Sequence, residues 1–213
     1  MHVNKVFWEN PYLTEIEAIV TGVDHNTIKV DRTIAFAFSG GQESDAGTIG
    51  GYKIMQAEKQ GNQIVYLLDE HNLSIGDHVL ISIDWNRRYR LMRLHFAAEI
   101  VLELIYQHFD HPEKIGAHIS ETKARVDFCW QGNISKTFPL LEDEIHRLVA
   151  GDLPIISAFS DTENERRYWK IGGFAKVPCG GTHIKRTGEI GGLLLKRNNI
   201  GKGKERIEIY LNE

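Results

Sequence analysis

The chain has 213 residues and a net charge of −4, with 42% apolar and 25% charged residues. This composition is that of a globular protein with a sizeable core, in one large domain or two small ones. The charge gives no overall signature of a nucleic-acid-binding protein, and the longest apolar stretches, such as residues 191–195, are far too short to span a membrane. The first residues show no basic segment followed by an apolar one, so we expect a cytoplasmic location.

Segments rich in β-branched residues alternate with turn signals over residues 1–86. The predicted strands cover residues 14–23, 27–30, 51–57, 63–68 and 78–83. Short strands at this spacing predict a small antiparallel β-barrel.

The pattern changes at Asp84, because glycine and proline are absent from residues 85–109 and apolar residues recur there at helical spacing. This predicts one long helix with Asp84 as its N-cap. A shorter amphipathic helix is predicted over residues 140–149, with Gly151 just beyond it. The strand-like segments around these helices are 118–119, 124–130, 154–159, 168–171, 192–196 and 205–211. The prediction is an α+β chain, with a barrel domain over 1–86 and, over 87–213, helices packed on an antiparallel sheet.

Two short patterns supply atoms that could bind a metal. His95 and Glu99 stand four residues apart on the predicted long helix, which puts their Cβ atoms about 5–6 Å apart on one face. Cys179 and His183 flank a glycine pair, which allows a sharply bent loop. A solvated surface pair and a buried cysteine beside a tight turn are the structural alternatives.

The four side chains offer nitrogen, sulfur and carboxylate oxygen, which suit Zn²⁺ better than Mg²⁺ or Ca²⁺. Four protein ligands would close the coordination sphere of the ion, whereas three would leave a position for water. We expect both cysteines, Cys129 and Cys179, to be thiols and not a disulfide.

Two further features are compatible with ligand binding. In the segment Ser39-Gly40-Gly41-Gln42 the glycines allow close backbone approach, although a plain hairpin turn is the alternative. A cluster of basic residues could contact phosphates or form a solvated face: Lys196, Arg197, Lys202, Lys204 and Arg206.

In this order the motifs resemble the AlaX family of freestanding alanyl-tRNA editing proteins, which are related to the editing region of alanyl-tRNA synthetase. The resemblance covers about residues 3–211 and is to the medium-length members. The matching segments are 31–33, 39–42, 93–99, 116, 125–128, 178–183, 187–191, 201–203 and 206–208. Two positions depart from the family pattern: Glu99 replaces the second histidine of the helix motif, and Phe38 replaces a residue that is usually acidic.

The resemblance implies zinc-dependent hydrolysis of the ester that joins a wrong amino acid, serine or also glycine, to the 3′ end of tRNA(Ala). His95, Glu99, Cys179 and His183 would bind the ion, or Glu99 would act as a general base beside three ligands. The zinc would activate a water or anchor the substrate's amino group.

The same resemblance assigns roles to residues outside the ligand set. Backbone N–H groups of Gly180 and Gly181, with Thr182, would act at the reacting carbonyl. Thr33, Gly40, Gly41 and Gln42 would bind the substrate. The basic cluster would hold the acceptor stem of the tRNA, and no membrane partner is expected.

Two other functions stay open from the sequence. One is a related hydrolase that edits threonyl-tRNA or cleaves a free aminoacyl ester. The other is a zinc-stabilised RNA-binding module without catalysis. The sequence says nothing about the oligomeric state.

Overall fold

The computed structural model describes residues 2–212 and divides the chain into two compact units, one up to Tyr89 and the other from Arg90. The predicted α+β class is confirmed, since the described residues form two α-helices together with many strands. The division between the units lies within the same long helix as the predicted boundary between residues 86 and 87. In residues 2–212 no helix has the length and apolar character needed to cross a membrane.

The first unit is made of eight short strands among the described residues. Their bounds are β1 (Asn4–Lys5), β2 (Glu15–Asp24), β3 (Thr27–Val30), β4 (Arg32–Thr33), β5 (Gly47–Ile49), β6 (Tyr52–Gln60), β7 (Gln63–Leu68) and β8 (His78–Ile83). β1 pairs with β4 in parallel. The other six pair antiparallel in the closed order β2-β3-β7-β6-β5-β8, in which β8 returns to β2.

Side chains on these strands alternate between core and solvent. In β7, Ile64, Tyr66 and Leu68 are buried and the residues between them are more exposed, which is the period of two that a strand imposes. The buried Tyr66 hydroxyl donates to the carbonyl of Ala35 at 2.7 Å and lies 2.7 Å from the Thr33 hydroxyl. The core of this unit is therefore apolar around a small, satisfied polar network.

The long helix α1 (Trp85–His108) begins in the first unit and continues into the second. The carboxylate of Asp84 accepts a hydrogen bond from the Arg87 backbone N–H at 3.1 Å, which confirms the predicted N-cap. In the first turn, the buried guanidinium of Arg88 pairs with the equally buried Asp45. Between Leu91 and Ile105 most side chains are buried, so α1 forms part of a core on nearly all sides.

The second unit combines this helix with a second helix and seven strands of the described chain. Their bounds are β9 (Lys114–Ile119), β10 (Ala124–Cys129), α2 (Phe138–Gly151), β11 (Ile155–Asp161), β12 (Arg166–Ile171), β13 (Ala175–Pro178), β14 (Gly192–Gly201) and β15 (Lys204–Asn212). The strands form two antiparallel sheets, of order β14-β15-β10-β9 and β11-β12-β13.

The predicted end of the second helix is wrong. α2 continues through Gly151, and Asp152 adopts the left-handed conformation, with φ 41° and ψ 49°. A tertiary contact explains this choice, because the Asp152 carboxylate accepts hydrogen bonds from Arg186 Nε at 2.7 Å and from the Gly188 backbone N–H at 3.2 Å. An aspartate can tolerate this conformation when its side chain is held in place.

Candidate metal centre

Three of the four predicted ligands meet in the second unit. One ligand atom from each of His95, Cys179 and His183 lies within 4.8 Å of the other two. Nε2 of His95 and Nε2 of His183 are each 3.2 Å from Sγ of Cys179. Both histidines are buried, and both cysteines of the chain are free thiols, as predicted.

The helix that carries His95 is held against the chain that follows His183. Arg93, two residues before His95, donates from Nε and Nη2 to the carbonyl of Ile190 at 3.2 and 3.0 Å. Gly191 has a φ of 71°, and a side chain there would meet Arg93 Nη2 at 2.7 Å. The Phe96 ring packs edge-on against His183 with centroids 5.7 Å apart. These contacts bring distant parts of the sequence to one place.

The segment after His183 is anchored by its own hydrogen bonds. The Thr187 hydroxyl donates to the carbonyl of Leu148 at the end of α2 at 2.5 Å and accepts from the Leu153 N–H at 2.8 Å. A carboxylate oxygen of Glu189 accepts from the backbone N–H groups of Lys185 and Arg186 at 2.9 and 3.0 Å. The Thr-Gly-Glu-Ile-Gly motif is thus a structural support that fixes the histidine loop.

Burial sets the protonation of the three side chains. Burial lowers the pKa of His95, and burial with the charges of His95 and Arg167 lowers the pKa of His183 well below its usual value. Burial, with the neighbouring Glu99 carboxylate, raises the pKa of the Cys179 thiol. Neutral imidazoles are ready to ligate a cation, and the thiol would release its proton when it does so.

The donor set fits a zinc ion. Zinc binds histidine nitrogen at about 2.0–2.1 Å and thiolate sulfur at about 2.3 Å, so nitrogen and sulfur ligands of one tetrahedral ion stand roughly 3.5 Å apart. The two nitrogen–sulfur distances of 3.2 Å are close to this separation. Three converging ligands of this chemistry make a possible metal-binding site.

Glu99 lies beside this group but is not one of the three. Its Oε2 accepts a hydrogen bond from the indole N–H of Trp169 at 3.0 Å. Its carboxylate is also close enough to Cys179 to raise the pKa of the thiol. The glutamate is therefore positioned by Trp169, and its role as a ligand or as a base stays a prediction.

Ser157 and Arg167 also belong to the centre, and sequence reasoning did not find them. Ser157 Oγ is 2.8 Å from Nδ1 of His183, which leaves Nε2 to face Cys179. The buried Arg167 donates to the carbonyl of Gly181 at 3.3 Å, and burial lowers its pKa to about 10. No motif spacing marks these residues, because cross-strand pairing in the sheet β11-β12-β13 brings them to the site.

The glycine-rich loop after Cys179 contacts the thiol of that residue. The backbone N–H of Gly181 donates to Cys179, and this hydrogen bond favours the thiolate. The roles of Gly180 and Gly181 as oxyanion donors stay predictions. Thr182 is buried in the same loop, between Cys179 and His183.

The predicted substrate residues of the first unit lie in a tight turn and a buried network. Ser39 and Gln42 exchange backbone hydrogen bonds at 3.2 and 3.0 Å around Gly40 and Gly41, whose φ values are 61° and 87°. Positive φ at both positions explains the need for glycine. Thr33 and Gln42 are fully buried, and the Thr33 hydroxyl contacts Tyr66.

The basic cluster on β14 and β15 is partly neutralised. Arg197 pairs with the buried Glu205 at 2.5 Å, and Arg206 pairs with Asp127 at 2.7 Å. The three lysines of the cluster, Lys196, Lys202 and Lys204, are exposed. If this cluster contacts phosphates, we expect the lysines to make most of the contacts, because the two arginines are already paired.

Part of the second unit matches a known protein family. Residues 167–208 match the family described as the threonyl and alanyl tRNA synthetase second additional domain. This segment contains the loop that carries Cys179 and His183 together with most of the strands around it. The chain therefore carries a synthetase-associated domain.

Full-length relatives then identify the family. The chain is 33% identical to the alanyl-tRNA editing protein AlaX-M of Pyrococcus horikoshii, over 97% of each chain. It is 30% identical to AlaX-M of Saccharolobus solfataricus, over 95% of this chain and 96% of that one. It is also 32% identical to the alanine–tRNA ligase of Ignicoccus hospitalis, over 96% of this chain but only 25% of the ligase.

The chain belongs to the AlaX-M family of alanyl-tRNA editing proteins. The resemblance found in the sequence is thereby confirmed. Editing of an aminoacyl-tRNA is hydrolysis of its ester bond, so membership places the chain among the hydrolases that act in translation.

Proposed function

We propose that the chain hydrolyses seryl-tRNA(Ala), and also glycyl-tRNA(Ala), with Zn²⁺ bound by His95, Cys179 and His183. The observation that carries this proposal is the convergence of the three candidate ligand atoms within 4.8 Å of one another, with both histidines buried. Family membership supports an aminoacyl-tRNA as the substrate. As a hydrolase that acts in translation, the protein is proposed to work in the cytoplasm.

A bound zinc ion would supply Lewis acidity, either to lower the pKa of a water or to hold the substrate's amino group. His183 is oriented by Ser157, and Cys179 by the Gly181 N–H, so both present their donor atoms at little reorganisation cost. Arg167 fixes the carbonyl of Gly181 and with it the direction of the loop backbone. The loop that carries Gly180 and Gly181 is proposed to supply the backbone N–H groups that stabilise the oxyanion.

Glu99 is proposed as the fourth ligand. One of its oxygens is held by Trp169, and the carboxylate is close enough to the thiol of Cys179 to raise its pKa. From the same position it could act as a general base toward a water, and the variants described in the Discussion separate these roles.

Selectivity for serine follows from the cost of burying unpaired polar groups. A site that hydrogen-bonds a hydroxyl rejects a substrate without one much more strongly than an apolar pocket rejects an added hydroxyl. We propose that the serine hydroxyl is recognised by polar groups of Thr33, Gln42 and Thr182 and of the glycine pair Gly40 and Gly41. We propose that the basic cluster contacts phosphates of the acceptor stem, through Lys196, Lys202 and Lys204 together with Arg197 and Arg206.

The test combines metal analysis with deacylation of seryl-, glycyl-, alanyl- and threonyl-tRNA. We expect one zinc per chain, rapid hydrolysis of seryl-tRNA(Ala), slower hydrolysis of glycyl-tRNA(Ala) and little loss of alanyl-tRNA(Ala). Cys179→Ala should lose zinc and deacylation, whereas Cys129→Ala, which changes the other free cysteine, should keep both. Tight tRNA binding with stoichiometric zinc and no ester cleavage would contradict the proposal, and cleavage of threonyl-tRNA alone would reassign the substrate.

A further inference from the structure

Strand β11 forms one edge of the sheet β11-β12-β13, and its side chains alternate between two faces. Ser157 and Phe159 share one face, and their partners across the ladder are Trp169 and Arg167, which both contact the candidate metal centre. Ile156 lies on the opposite face of the same strand. Phe159 is therefore on the same side of the sheet as the candidate metal centre.

Phe159 is 37% exposed, although its partner across the strand, Arg167, is almost completely buried. The guanidinium carbon of Arg167 lies 5.3 Å from the centroid of the Phe159 ring. This cation–π contact holds the ring in place from within the protein. The result is an ordered aromatic side chain at the border between a buried polar centre and solvent.

One side chain in contact with the centre belongs to an exposed residue of this strand. Ser157 is an exposed residue, yet its Oγ is 2.8 Å from Nδ1 of the buried His183. Two residues on the same face of a strand stand about 7 Å apart. Phe159 is thus the next residue on the same face of the strand as Ser157, the residue whose side chain contacts His183.

We propose that Phe159 stacks on the terminal nucleobase of the aminoacyl-tRNA and so places the ester at the metal centre. This inference rests on the proposed function. In an aminoacyl-tRNA the ester is joined to the ribose of the last nucleotide, so the base of that nucleotide lies one sugar away from the reacting carbonyl. Stacking on an aromatic side chain needs no particular base edge, and the guanidinium beneath the ring strengthens it.

The test compares uncharged tRNA(Ala) that ends in its 3′-terminal adenosine with the same tRNA lacking that nucleotide. In the wild type, removal of the adenosine should weaken binding by about 10- to 100-fold, the range expected for one stacked base. In Phe159→Ala the two tRNAs should bind equally, whereas Phe159→Trp should retain the difference. Phe159→Leu keeps apolar volume without an aromatic face, so it should behave like Phe159→Ala.

Kinetic measurements provide the second readout. The kcat/KM for seryl-tRNA(Ala) should fall about 10- to 100-fold in Phe159→Ala, mainly through KM, with zinc content and circular dichroism unchanged. Ile156→Ala, an exposed apolar change on the opposite face, should match the wild type in both assays. The inference is overturned if Phe159→Ala retains the adenosine dependence or if Phe159→Leu restores it. An inactive wild-type protein would instead refute the proposed function.

Discussion

Single side chains decide how the three ligand atoms are presented. His183 uses one ring nitrogen toward Ser157 and the other toward Cys179, so the serine helps to fix the orientation of the ring. Glu99 is similarly fixed by Trp169. These partners lie on strands β11 and β12, far in sequence from the motifs that marked the ligands.

Ser157→Ala should lower zinc affinity by about 10- to 100-fold, because the ring of His183 loses the partner that orients it. Competition with a chelator of known zinc affinity measures this change. Ser160→Ala is the matched control, since the Ser160 hydroxyl of the same strand contacts the backbone carbonyl of Arg166 and not the centre. Equal zinc affinity in the Ser157→Ala variant and the wild type would refute an orienting role.

Glu99→His and Glu99→Gln separate ligation from base catalysis. Glu99→His should retain zinc and deacylation, because it restores the histidine that the family places there. Glu99→Gln should lower zinc affinity if the carboxylate is a ligand, and should retain zinc but lower kcat if it is a base. A metal-free, inactive Glu99→His protein would show that the carboxylate itself is needed.

The elements around the centre are locked by polar contacts at their ends. Thr187 and Asp152 join the end of α2 to the turn of Thr187–Ile190. Arg93, in the middle of α1, contacts the last residue of the same turn. The loop from Cys179 to His183 lies between such fixed points. Rigid ends let a glycine-rich loop keep a defined shape in spite of its intrinsic freedom.

Gly188→Ala tests this anchoring. A Cβ at position 188 would meet the Asp152 carboxylate at 2.5 Å, so the contact that holds the end of α2 must shift. We expect a loss of about 0.5–1 kcal/mol in the free energy of unfolding, since the displaced carboxylate is half-exposed, and weaker zinc binding. Chemical denaturation with and without zinc measures both, and Gly172→Ala is the control because its Cβ would meet nothing within 4 Å. Equal effects of the two substitutions would contradict the anchoring role.

At the scale of the whole molecule, the candidate centre lies entirely in the second unit, from Arg90 onward. Its candidate ligands come from a helix and a loop separated by more than eighty residues, so an ion held by them would bind the folded state and not the unfolded chain. Metal binding should therefore stabilise the protein by mass action.

Zinc removal is predicted to lower the thermal stability of the wild type. At a free zinc concentration of 1,000 times Kd, the linkage is worth about 4 kcal/mol, enough to shift the unfolding midpoint by several degrees. Calorimetry with zinc and with a chelator should show this shift in the wild type and in Cys129→Ala. The same shift in Cys179→Ala would show that the ion binds elsewhere.

Much of the fold follows from local pattern. The predicted strands over 27–30, 63–68 and 78–83 match β3, β7 and β8, and the helix predicted over 85–109 matches α1 within one residue. Strong periodicity and clear turns made these segments predictable. The strand β13 was missed, because four residues that end in proline are too few to establish a strand period, and pairing with β12 holds them in place.

The sequence by itself determined the family and the α+β class, and it indicated His95, Cys179 and His183, with Glu99, as candidate metal ligands, since residue type and spacing express them directly. Only the tertiary structure decided that Ser157, Trp169 and Arg167 surround these ligands, and that Arg197 and Arg206 are paired within the sheet. The physical reason is that cross-strand register and packing bring together residues whose separation along the chain carries no signal.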